Sequence, residues 1–176
     1  MPQRVLVGGI SGAGKSTLAR ELAAAWQLPY VELDALFHGP GWTERPTFAQ
    51  DVAEVVTEER WVVDSDGYPA VRDLLWARAD TLVWLDLPRW QVMARVVRRS
   101  VWRGLQRAEL WNGNRETFRA WADPGHPVRW AWTQHGARRT TIETRLADPR
   151  WAHLRVVRLE SARAARRWRE QLDARG

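Results

Sequence analysis

The chain contains no cysteine and has only one lysine among its 27 basic residues. Without cysteine it can form no disulfide framework, no thiolate zinc site and no thiol nucleophile. It also lacks an apolar run near the ~20 residues that span a bilayer, and its amino end shows no signal-peptide pattern. We therefore expect a cytoplasmic protein without a membrane segment. At 176 residues, the chain has the length of a single domain, residues 1–176.

The net charge is strongly positive, at +6, and the sequence pI is about 11.0. Clustered arginine is what a nucleic-acid-binding surface requires. The alternative is a general compositional bias towards arginine, which the abundance of alanine, valine and tryptophan favours. A nucleotide-binding protein also needs arginines of its own. We therefore expect no nucleic-acid partner, and keep one as a second possibility.

The single lysine lies in a complete phosphate-binding motif. Residues 9–16 read Gly-Ile-Ser-Gly-Ala-Gly-Lys-Ser, which matches GxxxxGK[ST]. An apolar segment precedes the motif and a helical apolar pattern follows it, which is the context that such a loop requires. Its backbone N–H groups would bind phosphate oxygens, and the Lys15 ammonium would reach between the β- and γ-phosphates. The residues expected to bind the nucleotide here are Gly9, Ser11, Gly12, Ala13, Gly14, Lys15, Ser16 and Thr17.

Short apolar runs alternate with helical patterns along the whole chain. The predicted strands are residues 4–8, 30–34, 61–64, 81–86 and 154–159. The predicted helices are residues 15–26, 47–60 with a capping box from Thr47 to Gln50, 89–102, 127–147, and a last one that Ser161 caps. This alternation predicts a parallel α/β sheet with ligands at the carboxyl ends of its strands. Residues 103–124 show weak periodicity and are predicted to be a polar, lid-like insertion.

A magnesium ion beside the loop would need oxygen ligands, in part through water. We expect the Ser16 hydroxyl to be one ligand. Asp64 and Asp86 both follow apolar strands, and we favour Asp64 as the carboxylate. The alternative for Asp86 is a residue at the amino terminus of the next helix.

Several segments together resemble the topology-modulation proteins, a family of small adenylate-kinase-like P-loop proteins. The segments that carry the resemblance are residues 12–17, 33–42, 61–64 and 79–89. The resemblance implies a three-layer P-loop NTPase fold whose five-stranded parallel sheet has the order 2-3-1-4-5. Where the family has Gly-Asn-Tyr, this chain has Ser-Asp-Gly-Tyr at residues 65–68, so Asp66 is a less certain acceptor contact. Similarity to nucleoside monophosphate kinases implies that Arg95 and Arg99 lie over the adenine and phosphates of ATP; a solvated basic helix face is the alternative.

Further arginines are candidates for closing over the γ-phosphate. Phosphoryl transfer depends on positioning and charge neutralisation, and a closed lid excludes water. The candidates are Arg103, Arg107 and Arg115 in the insertion, and Arg138 and Arg139, expected to be catalytic, on the following helix.

The predicted acceptor residues are Asp34, His38 and Trp42. In related kinases that phosphorylate alcohols, a carboxylate after the second strand orients the acceptor hydroxyl and takes its proton. We therefore expect a kinase that uses ATP and Mg²⁺ to phosphorylate a small molecule, with a hydroxyl favoured as the acceptor. A nucleoside monophosphate kinase is the alternative within this class, and a nucleotide-binding regulator associated with DNA is the alternative outside it. The protein would act as a monomer or a homodimer.

Overall fold

The computed structural model describes residues 2–106 and 127–173, and its centre is a sheet of parallel strands. The strands are β1 Arg4–Gly9, β2 Tyr30–Val31, β3 Trp61–Val63, β4 Thr81–Leu85 and β5 Arg155–Leu159. The α-helices are α1 Lys15–Trp26, α2 Leu33–Phe37, α3 Phe48–Val55, α4 Arg72–Arg78, α5 Arg89–Gln106, α6 Pro127–Leu146 and α7 Ala162–Asp173. Short 3-10 turns cover Pro40–Trp42 and Pro149–Trp151.

The strand order is β2-β3-β1-β4-β5, as the resemblance implied. β1 pairs in parallel with β3 on one side, where Val5 lies opposite Val62, and with β4 on the other, where Val7 lies opposite Val83. A parallel sheet is normally covered on both faces, and every residue of β3 and β4 is accordingly buried. The central position of β1 places the loop of residues 9–16 in the middle of the sheet's carboxyl edge.

Each face of the sheet has its own apolar core, because successive side chains of a strand point to opposite faces. Val5 and Val7 of β1 belong to one core, and Leu6 belongs to the other. The first core contains the buried residues Leu18, Leu22, Val92 and Val96 of α1 and α5, with Ala165 and Trp168 of α7 packed against it. The second contains Phe48, Val52, Leu75, Trp76 and Ile142 of α3, α4 and α6. The fold is therefore a three-layer α/β/α arrangement.

The second strand is shorter than the prediction of residues 30–34. Only Tyr30 and Val31 pair with β3. The Leu33 N–H donates to Asp64 Oδ1 at 3.0 Å, so it is not available to a strand ladder, and α2 begins there. Asp34 consequently lies in the first turn of a helix and not at a strand end.

Other boundaries also differ from the prediction. α4 was not predicted, since its seven residues are too few to show a helical pattern. The capping box of α3 is absent: Thr47 has helical backbone angles and makes no capping bond with its side chain, and its hydroxyl donates to the Asp51 carboxylate at 3.1 Å. α5 extends to Gln106, and the rest of the predicted insertion lies outside the described residues. The predicted cap of α7 is confirmed, since the Ala164 N–H donates to Ser161 Oγ at 3.1 Å.

No helix in the described part of the chain is both long and apolar enough to cross a bilayer.

Gly67, between β3 and α4, gives a test of this packing. Its φ is +95°, and a Cβ there would lie 2.8 Å from Arg72 Cα. We expect Gly67→Ala to lower the free energy of unfolding by about 2–4 kcal/mol, through strain and steric overlap together. Urea unfolding would measure the change.

Gly41→Ala is the matched control. Gly41 has a φ of +67° but no heavy atom within 4 Å of the added Cβ. The Gly41→Ala variant should lose only the free energy of unfolding that a left-handed backbone costs an alanine, about 1–2 kcal/mol. If Gly67→Ala lowers the free energy of unfolding no more than Gly41→Ala does, the described packing of α4 on this turn is contradicted.

Candidate active site

The loop between β1 and α1 is held against α5. A Cβ on Gly12, whose φ is +83°, would lie 2.1 Å from Val96 Cγ2, so only glycine fits there. The Arg95 guanidinium donates from Nη1 to the Ala13 carbonyl at 2.7 Å. Arg99 Nη2 donates to Ser11 Oγ at 3.4 Å. The structure thus places both predicted arginines over the loop, and their contact with a nucleotide stays a prediction.

A cavity of about 530 Å³ opens on this loop. Residues 11–18 form its floor, and Asp34 and Glu32 also line it. The basic residues along its wall are Arg20, Arg95, Arg98, Arg99 and Arg169. Burial lowers the pKa of Arg95, and the positive charges of Arg98 and Arg169 lower it further. The cavity therefore combines backbone N–H groups with a concentration of positive charge, which suits a polyphosphate.

Lys15 lies at the point where several charges converge. Its Nζ donates to the Ile10 carbonyl at 3.4 Å. Burial lowers the pKa of Lys15, the negative charges of Asp34, Asp66 and Asp64 raise it, in that order of effect, and the positive charge of Arg138 lowers it. The ammonium therefore lies within electrostatic reach of three carboxylates and one guanidinium.

Both carboxylate oxygens of Asp64 accept hydrogen bonds from other residues of the protein. Oδ2 accepts from the Tyr30 hydroxyl at 3.0 Å, and Oδ1 accepts from the Leu33 N–H at 3.0 Å. The residue is only 4% exposed. These bonds give Asp64 a structural role, joining β3 to the start of α2, that the sequence did not reveal. Its contact with a metal stays a prediction.

Asp66 is fully buried, at 0% exposure. Its Oδ1 accepts from Arg138 Nη2 at 2.8 Å. Its Oδ2 is buried and has no hydrogen-bond partner within residues 2–106 and 127–173. A Cβ on Gly8 would lie 3.2 Å from Asp66 Cβ, so this side chain packs directly against the end of β1. An unpartnered buried carboxylate oxygen beside Lys15 is a place where a cation or a water could bind.

Asp34 is part of an aromatic cluster. Its Oδ1 accepts from the Tyr68 hydroxyl at 2.7 Å. Burial raises the pKa of Tyr68, and the negative charge of Asp34 adds to that effect, so the phenol keeps its proton and donates it. The Tyr68 ring stacks on Phe37 at 4.0 Å between centroids, and Phe48 packs edge-on against both. Sequence reasoning did not single out Tyr68, although it belongs to the unusual 65–68 segment.

His38 and Trp42 extend this cluster, with their ring centroids 5.2 Å apart. Burial lowers the pKa of His38, more strongly than Asp34 raises it. The imidazole is therefore neutral at pH 7. The structure thus brings the three predicted acceptor residues Asp34, His38 and Trp42 into one region, and their contact with an acceptor stays a prediction.

Arg138 and Arg139, although adjacent in α6, point to different carboxylates. Arg138 binds Asp66 beside Lys15. Arg139 lies 3.4 Å from Asp86 Oδ2 and 3.3 Å from Glu143. Asp86 also accepts from Arg158 Nε at 2.9 Å, so it belongs to an ion-pair network between β4, β5 and α6 and not to a helix terminus. Arg107 and Arg115 lie outside the described residues, and of Arg103 only the backbone, in α5, is described.

The described residues contain no cluster of three or more His, Cys, Asp or Glu side chains that could hold a metal by themselves. Magnesium commonly binds through one or two carboxylates, water and substrate phosphates.

The sequence matches no protein-family model and no curated protein closely enough to count as a relative. Solved structures are similar over nearly the whole chain. A gluconokinase from Sinorhizobium meliloti 1021 has 22% identity and a TM-score of 0.51, covering 99% of this chain and 98% of that one. A shikimate kinase from Bacteroides thetaiotaomicron has 17% identity and a TM-score of 0.53, with coverage of 98% and 99%. A shikimate kinase from Acinetobacter baumannii, in complex with shikimate, has 16% identity and a TM-score of 0.53, with coverage of 97% and 90%. The chain thus has the fold of these P-loop kinases.

The two neighbouring arginines of α6 allow a paired test. Arg138→Met would leave the buried Asp66 carboxylate without its ion-pair partner, and we expect the free energy of unfolding to fall by about 2–3 kcal/mol. Arg139→Met should cost under about 1 kcal/mol, because Arg139 is 47% exposed and Asp86 keeps Arg158. Urea unfolding of both variants measures the difference. Equal losses of the free energy of unfolding in the two variants would show that the buried Asp66 carboxylate does not need the Arg138 ion pair.

Proposed function

We propose that the protein is a P-loop phosphotransferase that moves the γ-phosphoryl group of Mg·ATP to a hydroxyl of a small molecule. The observation that carries this proposal is that Lys15 and Asp34 line the same cavity. The loop of residues 11–18 and several arginines also line this cavity, and Asp34 connects it to Tyr68 and the neighbouring rings. A triphosphate bound by the loop would present its terminal phosphate at Lys15, within reach of an acceptor at Asp34. The kinase fold of the similar structures supports the same reading.

The nucleotide is bound mainly by backbone and by arginine. The loop N–H groups hold the phosphates at the amino end of α1, where the helix dipole favours negative charge. Arg95 and Arg99 close the cavity from α5. Transfer of a phosphoryl group needs positioning and charge neutralisation more than covalent help, and this arrangement provides both.

Ser16 and Asp66 would hold a magnesium ion together with the nucleotide. Ser16 lines the cavity, and Asp66 Oδ2 is a hard oxygen donor that has no other partner among the described residues. Asp64, the carboxylate favoured from sequence, stays a candidate through water, although its oxygens already bind Tyr30 and Leu33. When bound, the ion would neutralise charge on the β- and γ-phosphates.

Asp34 is the proposed base. The Tyr68 hydroxyl fixes Oδ1, which leaves Oδ2 to accept the proton of an acceptor hydroxyl as that oxygen attacks the γ-phosphorus. Bond formation to the acceptor oxygen accompanies cleavage of the bond to the β-phosphate oxygen, and ADP leaves. Exclusion of water by the neighbouring rings would limit hydrolysis of the nucleotide.

We also propose that the protein belongs with the topology-modulation proteins, because it shares the motifs described above. A nucleoside monophosphate kinase is the alternative within the same fold.

The direct test is a screen for ADP release. Mg·ATP would be supplied with a panel of sugars, polyols, amino alcohols, nucleosides and nucleoside monophosphates. We expect at least one hydroxyl compound to raise ADP release well above the rate with ATP alone, and a phosphorylated product to appear by mass spectrometry. ATP turnover that no compound on the panel stimulates would contradict the proposal.

Asp34→Asn should separate catalysis from nucleotide binding. Asparagine preserves the shape but cannot take the acceptor proton, so we expect kcat to fall by about 10²-fold or more. The Kd for Mg·ATP, measured by calorimetry, should change less than about threefold.

Glu32→Gln is the control for this variant. Glu32 lines the same cavity but pairs with Arg20 at its exposed rim. The Glu32→Gln substitution should leave kcat almost unchanged. A parallel loss of kcat and ATP affinity in Asp34→Asn would place Asp34 on the nucleotide and remove it as the base.

A further inference from the structure

Helix α5 contacts the loop of residues 9–16 at two successive positions. Val96 packs on Gly12 so closely that a Cβ on this glycine would lie 2.1 Å from Val96 Cγ2. One residue earlier in the helix, Arg95 donates from Nη1 to the Ala13 carbonyl at 2.7 Å. A hydrogen bond from a charged donor is stronger than one between neutral groups. Arg95 therefore holds the loop by its backbone and not through a side chain.

The carbonyl that Arg95 holds belongs to the same peptide unit as the Gly14 N–H. A trans peptide unit is planar, so its C=O and N–H point in opposite directions. The described residues include no cis peptide bond, and the bond to the Ala13 oxygen therefore also fixes the direction of the Gly14 N–H. Gly14 lines the cavity and immediately precedes α1, where the N–H groups of a helix start are available to an anion.

The glycine at position 14 makes this direction reversible. Gly14 has a φ of +98°, and its neighbour Arg95 is close, since a Cβ on Gly14 would lie 3.4 Å from Arg95 Nη1. A half-turn of the preceding peptide unit would reverse the sign of this φ, and glycine accepts both signs about equally. After such a turn the Ala13 oxygen would point where the N–H had pointed, and it would repel a phosphate. The bond from Arg95 stabilises one of the two orientations.

The other arginines that flank Arg95 are arranged differently. Arg169 pairs with Glu21 at 2.8 Å. Arg98 is exposed, and its side chain makes no hydrogen bond to the loop within the described ranges. Burial lowers the pKa of Arg95, and the positive charges of Arg98 and Arg169 lower it further, so the guanidinium is held against other cations. What holds it there is the Ala13 carbonyl.

We propose that Arg95 is a positioning residue of the loop, which keeps the Ala13–Gly14 peptide unit turned so that the Gly14 N–H is ready for a phosphate before the nucleotide binds. The inference rests on the proposed function, because it concerns the phosphates of the same donor. It assigns Arg95 a role other than the adenine contact that similarity to nucleoside monophosphate kinases implied. Donors that are oriented in advance strengthen binding, because the ligand does not have to order them.

The deciding experiment is NMR relaxation dispersion on the amides of residues 12–15 in the nucleotide-free protein, which detects exchange between conformations in microseconds to milliseconds. We expect no exchange at Gly14 in the wild type. Arg95→Met keeps a long apolar side chain but has no donor, so it should show exchange at Gly14 or a reversed sign of its φ, read from three-bond couplings. A Gly14 signal with the same dynamics and φ in both proteins would overturn the proposal.

Arg98→Met is the matched control. It removes the same charge from the same cavity wall, without a bond to the loop. Gly14 in the nucleotide-free Arg98→Met protein should therefore behave as in the wild type. An equal disturbance of Gly14 in both variants would show that the charge of the wall, and not the bond to Ala13, orients the peptide unit, and would contradict the proposal.

Calorimetry distinguishes the positioning role from an adenine contact. The ligands are ATP and tripolyphosphate, each with Mg²⁺, because tripolyphosphate has the phosphates without a base. Arg95→Met should raise the Kd of both ligands by the same factor, at least about tenfold, as expected for a lost hydrogen bond from a charged donor. A loss of affinity confined to ATP would assign Arg95 to the base and overturn the proposal. If the wild type does not bind ATP, the proposed function fails, and the NMR result on the loop distinguishes the two failures.

The wild-type protein decides the proposal even if Arg95→Met does not fold. The Arg95 Nη proton that is bonded to Ala13 should be protected from exchange with water before any ATP is added. Protection that begins only after the addition of Mg·ATP would show that Arg95 is recruited by the nucleotide, and would overturn the proposal.

Discussion

The convergence of one ammonium with three carboxylates at the carboxyl edge of the sheet is the constraint on which the site depends. Lys15 begins the helix that follows β1, Asp34 lies in the helix that follows β2, and Asp64 and Asp66 follow β3; the parallel order brings the ends of these strands side by side. Charges removed from water must be paired or hydrogen-bonded, since their desolvation is costly. The three carboxylates accordingly accept hydrogen bonds from other segments, and Asp66 Oδ2 is a buried oxygen with no hydrogen-bond partner within the described residues.

Helix α6 contributes to this arrangement from outside the sheet. Its contacts with the core are mostly polar: Arg138 binds Asp66, Arg139 and Glu143 join the network of Asp86, and Ile142 is a buried apolar residue. Near its carboxyl end, the Arg145 guanidinium lies between the rings of Trp76 at 4.7 Å and Trp151 at 4.9 Å. Such contacts are strongest when the cation is shielded from water. They fix the position of the helix and therefore of Arg138, two turns earlier.

The parts of the fold that depend on local pattern could be predicted from the sequence. The loop at residues 9–16, the strands β1, β3 and β4, and the start of α6 all follow from motif or periodicity. The strand order came from resemblance, since no local pattern specifies it. The end of β2 could not be predicted, because a side chain 31 residues away, Asp64, takes the Leu33 N–H. The partners of Asp34, Asp66 and Arg138 likewise depend on tertiary contacts between distant segments.

The two carboxylates that follow β3 show how neighbouring acids acquire different tasks. Asp64 and Asp66 are two residues apart and both are buried, so composition and spacing do not distinguish them. Their hydrogen bonds distinguish them. Asp64 accepts from Tyr30 and Leu33 through both oxygens and stabilises the turn that carries Asp34. Asp66 pairs with Arg138 through one oxygen only, and its other oxygen is unpartnered beside Lys15. The bonds of Asp64 are thus satisfied within the protein and join β3 to α2, whereas Asp66 keeps one buried oxygen without a partner among the described residues.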